Sequence, residues 1–279
     1  MTQAPQPKGD LSVTALYTSE TWRWGGFDGA ELLATQEARV VFRITNFVLG
    51  LVRLVRWNIP SLRHSLVHRH TMIDHLVREC GTLQVLELAA GLSRRGSSFS
   101  KDTRQSYVEL DLPGLVAKKR ELFARSEEGK LVLQRSNYRI AAGDIESTEL
   151  DSLVDVSQPV VVVAEGIFMY LKQPVQRDIW HRIAELVGMH PSSTFMFDLV
   201  PACEQPRPGV LGRLLERAMK RFTGGRAFEV DQRTRHDLVA ELRRAGFSQV
   251  ELYEPANVAA AWKLPFPRRR TQVLLFSCR

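Results

Sequence analysis

The sequence predicts an α/β fold, a Rossmann-like seven-stranded sheet with an added helical cap. Three observations predict it. From Gln84 onward, strand-like and helix-like segments alternate, the pattern of a parallel sheet covered by helices. Two of the strand segments, VLELA and VVVVA, are near-continuous apolar runs, as strands buried on both faces require. Before them, residues 11–80 read mainly as helices, the last of them at Thr71–Glu79. Residues 1–80 are therefore expected to form a cap or lid region, and residues 81–279 the core.

Taken in order, the expected strands are Gln84–Ala89, Ser106–Asp111, Asn137–Ala142, Pro159–Ala164 and Ser193–Leu199, followed late in the chain by Gln249–Tyr253 and Gln272–Cys278. Helices fill the gaps. In Leu115–Ser126, the residues Leu115, Val116, Lys119, Leu122 and Phe123 recur at helical spacing. In Val175–Val187, Val175, Ile179, Ile183 and Leu186 share one face. Asp231–Ala245 opens on a capping residue and stops at Gly246. Pro201–Glu229, rich in Pro, Arg and Gly, is expected to be a lid insertion over the ligand-binding edge of the sheet. Within the cap, Asn46–Val55 is the most hydrophobic stretch of the first third. Arg53 interrupts it and Arg43 and Arg56 flank it, so it is too short to span a bilayer. It reads as an amphipathic helix buried against the core, with a membrane-surface or dimer contact as the other readings.

A chain of 279 residues can hold one large domain, or a core with a cap. With 44% hydrophobic and 25% charged residues, disorder is excluded as the main state. Cys80, Cys203 and Cys278 are scattered with no CxxC pair, which argues against a disulfide framework and a zinc site and fits a reducing cytoplasm. The polar segment Met1–Asp10 does not look like a signal peptide. The net charge of +7 would suit an anionic substrate or a nucleic acid. Apart from Arg268–Arg270, however, the basic residues are spread along the chain, so a solvated basic surface is expected and a nucleic-acid partner is not.

In an open parallel sheet, ligands bind outside the carboxyl ends of the strands. The informative residues stand there. After the first strand comes Glu87-Leu88-Ala89-Ala90-Gly91, where small residues allow close backbone approach; Glu87, Ala89 and Gly91 are candidate cofactor contacts. A dinucleotide site would want GxGxxG at this turn, and only Gly91 and Gly96 are present. That favours a cofactor without a pyrophosphate, although a simple strand-to-helix turn explains the segment as well. Asp111 closes the second strand and suits the hydroxyls of a ribose, its rival role being to cap the helix that follows. After the third strand, Asp144 and Ile145 pair a carboxylate with an apolar side chain, which suits an adenine, an Asx turn being the alternative. Glu165 ends the buried fourth strand, a costly place for a carboxylate unless a positive group answers it. The ammonium or sulfonium of S-adenosyl-L-methionine is such a group.

Together these residues resemble the leucine carboxyl methyltransferase family, whose bacterial members include carboxyl methyltransferases of aromatic polyketide pathways. VLELAAGLSRRG resembles its first motif, YVELDLPGLVAKK its second, and AEGIFMYL its fourth-strand motif. SLVHRHTMIDHLV resembles the helix that carries a cofactor-binding arginine, here Arg69. The likeness spans roughly residues 11–200. It implies a class I methyltransferase sheet whose last strand runs antiparallel, and S-adenosyl-L-methionine as cofactor. Arg69 would hold the cofactor carboxylate, Gly91 the methionine moiety, Asp111 the ribose, Asp144 with Ile145 the adenine, and Glu165 the amino-acid end. The usual GAG followed by Asp-Thr-Arg is here Ala89-Ala90-Gly91 followed, after Leu92, by Ser93 and Arg94. Arg23 is the candidate for the basic residue that assists the arginine.

The implied reaction is methyl transfer to oxygen on a small molecule, with a carboxylate as acceptor. A carboxylate, with a reference pKa of about 4, is ionised near pH 7 and needs no general base, whereas a phenol near 10 would want one. The seven histidines form no constellation for catalysis or metal binding. Four other readings remain: a hydroxyl O-methyltransferase with a His base, a tRNA-modifying methyltransferase, a nicotinamide oxidoreductase and a catalytically silent binding protein.

Overall fold

The computed structural model describes residues 13–55, 59–205 and 231–279. Three helices come first: α1 (Val13–Trp24), α2 (Gln36–Val55) and α3 (Leu62–Glu79). The alternating part follows as β1 (Gln84–Leu88), α4 (Arg95–Phe99), β2 (Ser106–Asp111), α5 (Pro113–Phe123), α6 (Glu127–Leu133), β3 (Tyr138–Ala142), β4 (Val161–Ala164), α7 (Gln173–Gly188) and β5 (Thr194–Asp198). After the second gap come α8 (Arg235–Ala245), β6 (Val250–Tyr253), α9 (Pro255–Val258) and β7 (Leu275–Cys278). The lid expected over 201–229 falls almost wholly outside the described residues, as does Arg56. Its first residues form a short 3-10 turn, Ala202–Glu204.

The seven strands form one sheet in the order β3-β2-β1-β4-β5-β7-β6. β7 runs antiparallel to both of its neighbours, and the other pairings are parallel. Strand order reverses between β1 and β4, so the ligand crevice lies at their carboxyl ends.

Alternate residues of each strand feed two separate core layers, as the two-residue period dictates. Leu86, Leu88, Val162, Ala164 and Phe197 meet Ile179, Trp180 and Ile183 of α7 and Leu238 and Leu242 of α8. Val85, Val161, Val163 and Met196 face the other way, onto Met72, Ile73 and Leu76 of α3 and Phe123 of α5. Burial on both faces explains the uninterrupted apolar runs of β1 and β4.

Two expectations are corrected. Helix α8 begins at Arg235 rather than Asp231, because Thr234 is its cap: Thr234 and Asp237 bond reciprocally in a capping box. Asp231 instead accepts from Arg233 Nε at 2.9 Å. The second correction concerns α2. Its core-facing side is Ala38 and Phe42, and the large apolar residues of its other side are exposed. Among the described residues, no helix is long and apolar enough to cross a membrane.

Candidate functional site

β1 delivers the chain to a tight turn. Ala89 (φ 50°) and Gly91 (φ 54°) both take left-handed backbone there, which costs an alanine about 1–2 kcal/mol and glycine nothing. Asp111, buried at the end of β2, ties the turn down. Its Oδ2 accepts from the Gly91 N–H at 2.5 Å and its Oδ1 from the Leu112 N–H at 2.7 Å. Burial pushes its carboxyl above the ordinary aspartate value, and the two N–H groups oppose that shift.

At the end of β4, Glu165 is answered from inside the protein. Its Oε1 accepts from Arg69 Nε at 2.9 Å, and its Oε2 accepts from Arg95 Nη2 at 2.7 Å. His70 is the third partner. Arg94 Nε donates to His70 Nε2 at 2.9 Å, and His70 Nδ1 stands 2.9 Å from Glu165 Oε2 and 2.8 Å from Arg95 Nη2. Burial, and then the charge of Arg95, push the His70 pKa down to about 4, which keeps the ring neutral. Glu165 is held well below the carboxylate range: burial acts to raise it, and His70, Arg69 and Arg95 outweigh that effect.

Arg69 reaches from α3 to the ends of two strands. Beyond Glu165, its Nη1 donates to Asp198 Oδ2 at 2.9 Å at the end of β5. The other oxygen of Asp198 accepts from the Gly166 N–H at 2.6 Å. Gly166 has φ 71°, and a Cβ there would stand 3.1 Å from Arg69 Nη2, so glycine lets the guanidinium lie against the backbone. Arg95 is the inner hub. Its Nε donates to Asp74 Oδ1 at 2.8 Å and its Nη1 to Glu87, while Arg94 pairs with the other oxygen of Asp74. The buried cluster therefore sets three guanidinium groups (Arg69, Arg94, Arg95) against four carboxylates (Asp74, Glu87, Glu165, Asp198). Exposed Arg78 approaches Asp74 only to 3.8 Å.

The structure thus brings Arg69, Ala89, Gly91, Asp111 and Glu165 to one crevice. Glu87 stands apart from the ligand edge: it is buried one layer beneath the turn, accepting from Arg95 and, at 2.7 Å, from the Tyr107 hydroxyl. Asp144 lies beyond β3, its Oδ1 accepting from the Glu146 N–H at 3.1 Å. Ile145 packs into the core layer under α7 and keeps only an edge exposed. Arg23 does not join the cluster, since its Nε donates to Glu20 at 2.7 Å and its Nη1 reaches Glu31 at 3.3 Å. The cluster residues that sequence reasoning did not name as cofactor contacts are His70, Asp74, Arg94, Arg95 and Asp198. Asp198 carried a readable signal, a carboxylate closing an apolar strand as Asp111 does.

The other histidines of α3 are also engaged. His68 bridges the Thr271 hydroxyl at 2.9 Å and the Pro265 carbonyl at 2.6 Å, and His64 lies 2.6 Å from the Ser61 hydroxyl. Among the described residues, no group of three metal-ligating side chains converges. Beside the crevice, a cleft of about 850 Å³ opens over the ends of β5, β7 and β6, with His68, Val200, Arg235, Glu254, Thr271 and Val273 in its walls.

A sequence model of the leucine carboxyl methyltransferase family matches residues 29–184. A protein of Mycolicibacterium paratuberculosis, provisionally described as an S-adenosyl-L-methionine-dependent methyltransferase, is 30% identical over 44% of this chain and 40% of its own. The tetracenomycin polyketide synthesis O-methyltransferase TcmP of Streptomyces glaucescens is 24% identical over 42% of this chain and 38% of its own. The chain thus spans about two fifths of the length of the curated relatives it matches. Among solved structures, human N-acetylserotonin methyltransferase in complex with S-adenosyl-L-methionine superposes with a TM-score of 0.51, at 12% identity over 95% of this chain and 65% of that one. PigF with S-adenosyl-L-homocysteine gives 0.50, at 13% identity over 95% and 68%. These likenesses establish the class I methyltransferase fold.

Proposed function

The chain belongs to the leucine carboxyl methyltransferase family, and on that footing we propose that it is an S-adenosyl-L-methionine-dependent O-methyltransferase acting on a carboxylate of a small secondary metabolite. The observation that carries the reading is the charge of the crevice. Asp74, Glu165 and Asp198 stand against Arg69, Arg94 and Arg95, Glu87 lies one layer beneath, and Asp111 adds a further carboxylate at the turn. Such a site has an excess of negative charge and complements a cofactor with a net positive charge. S-adenosyl-L-methionine, with its sulfonium, ammonium and carboxylate, has that charge; the pyrophosphate of a dinucleotide would be repelled.

S-adenosyl-L-methionine supplies, when bound, a methyl group already activated for displacement. The chain's residues bind and orient. Arg69 offers its Nη2 donors to a carboxylate, and Glu165 and Asp198 balance a nearby ammonium. Asp111 retains lone pairs for ribose hydroxyls, since each of its oxygens accepts one backbone N–H. Asp144 would accept from the exocyclic amine of the adenine, with Ile145 as its apolar neighbour. Glu87 acts indirectly, by holding Arg95 under the turn. The helices before β1 serve as the cover, and the cleft beside His68 receives the acceptor.

Transfer to oxygen is favoured by the likeness to the Streptomyces O-methyltransferase. A carboxylate is favoured over a phenol by the α3 histidines. His64 and His70 are each held at a pKa of about 4, first by burial, so they are weak bases for a hydroxyl proton. Calorimetric titration tests the reading. S-adenosyl-L-methionine and its demethylated product should bind, and NAD should not. Binding of NAD without S-adenosyl-L-methionine would overturn it.

A further inference from the structure

Helix α2 is apolar on two opposite sides, and only one of them is used by the fold. Ala38 and Phe42 are buried, and Phe42 packs on Tyr17 of α1 with ring centroids 5.3 Å apart. On the far side, Val40, Ile44, Phe47, Leu51 and Leu54 are 48, 60, 69, 50 and 82% exposed. Their 4-3-4-3 spacing places all five within an arc of about 80°, along roughly 21 Å of helix. A contiguous stripe of this size on a surface marks a contact, whereas scattered exposed apolar residues would not.

The charge around the stripe identifies the partner. Arg39 and Arg43 are exposed along one flank. The single carboxylate of α2, Glu37, is exposed in the first turn, its carboxyl held below the ordinary value by hydrogen bonds from its own backbone and from Thr35 ahead of the charges of Lys118 and Arg125. Positive charge thus lines one flank of the stripe, at Arg39 and Arg43. A second copy would set the same two arginines against this surface, with Glu37 as the single carboxylate that α2 could offer them. Anionic lipid headgroups complement both features, the apolar stripe entering the acyl boundary and the arginines meeting the phosphates.

We propose that α2 seats the chain on an anionic lipid surface, lying in the interface with Val40, Ile44, Phe47, Leu51 and Leu54 facing the acyl chains. The helix lies on the bilayer and does not cross it. The contact uses no residue of the cofactor crevice, so it stands apart from the proposed reaction.

The test is flotation of the full chain with phosphatidylcholine vesicles, with and without phosphatidylserine. Wild type should float with the anionic vesicles only, and less so as salt rises. Phe47→Glu with Leu51→Glu should abolish flotation, a loss of at least about tenfold. Arg39→Gln with Arg43→Gln should weaken it about fivefold per charge removed. Both double variants change exposed side chains, so they should melt with wild type; if the first does not, Leu54→Gln repeats the test at the most exposed position. Absence of flotation, or equal flotation with neutral vesicles, overturns the proposal. So does a dimer in sedimentation velocity that Phe47→Glu with Leu51→Glu dissociates, for then the stripe belongs to a second copy.

Discussion

Both oxygens of Asp111 accept backbone N–H groups, one from the turn after β1 and one from the start of α5. The carboxylate is therefore part of the turn's structure as well as a ligand for hydroxyls. Asp111→Asn keeps the shape but must set an NH2 group against one of those N–H donors. That buried mismatch should cost about 1–3 kcal/mol of stability, and it should weaken S-adenosyl-L-methionine binding further. Urea denaturation and calorimetry check the two effects; a variant unchanged in both would show that the turn does not depend on this carboxylate. His70 makes a pH-dependent claim. Its folded pKa, about 4, lies below the ordinary 6.5. The unfolded chain therefore takes up the proton first, and the stability due to a neutral His70 is complete above pH 6.5 and lost as pH falls toward 4. His70→Asn, which can still donate to Glu165, removes this dependence. The stability gap between wild type and variant should narrow by on the order of 3 kcal/mol across that window. Groups such as Glu109, which burial pushes up to about 7 and which act in the opposite direction, are common to both proteins and cancel. A gap that stays constant would place the charge on the ring in the native state.

Elements were legible to different depths. β1 and β4 were readable because burial on both faces demands unbroken apolar runs, and their register pairs Val85 with Val161 and Leu88 with Ala164. The start of α8 was misread by four residues. Asp231 is an acceptable cap residue by type, and only the T-x-x-D spacing of Thr234 and Asp237 points to the true cap. Thr234→Ala should lower stability by about 1 kcal/mol, measurable by chemical denaturation, while Asp231→Ala should leave helix α8 starting where it does. The exposed face of α2 was hidden for another reason. Periodicity finds an apolar side, but with Phe42 and Ala38 on one side and Phe47 and Leu51 on the other it cannot say which one meets the core. The ion cluster lay beyond sequence reasoning. Arg69, Glu165 and Asp198 come from α3, β4 and β5, and only the strand order brings them within hydrogen-bond reach.

For the whole molecule, fold and cluster together determine which chemistry is open. Guanidinium and carboxylate groups fill the inner crevice, and His64, His68 and His70 are each occupied by a hydrogen bond. A phenol acceptor would need one of these rings, or a distant one, to take its proton. A carboxylate arrives ionised and needs only alignment, which alone can contribute about 7–11 kcal/mol. The turnover number should then be flat from roughly pH 6 to pH 9, because nothing that titrates there takes part in the transfer. Replacing His64, His68, His75, His181, His190 or His236 by Gln should leave turnover measurable, while His70, as a prop for Glu165, should affect cofactor affinity before rate. The product should be a methyl ester, which mild alkali cleaves with release of methanol. An alkali-stable product, or a rate that climbs with pH and collapses about a thousandfold in one histidine variant at unchanged cofactor affinity, would transfer the reaction to a hydroxyl and give that histidine the role of base.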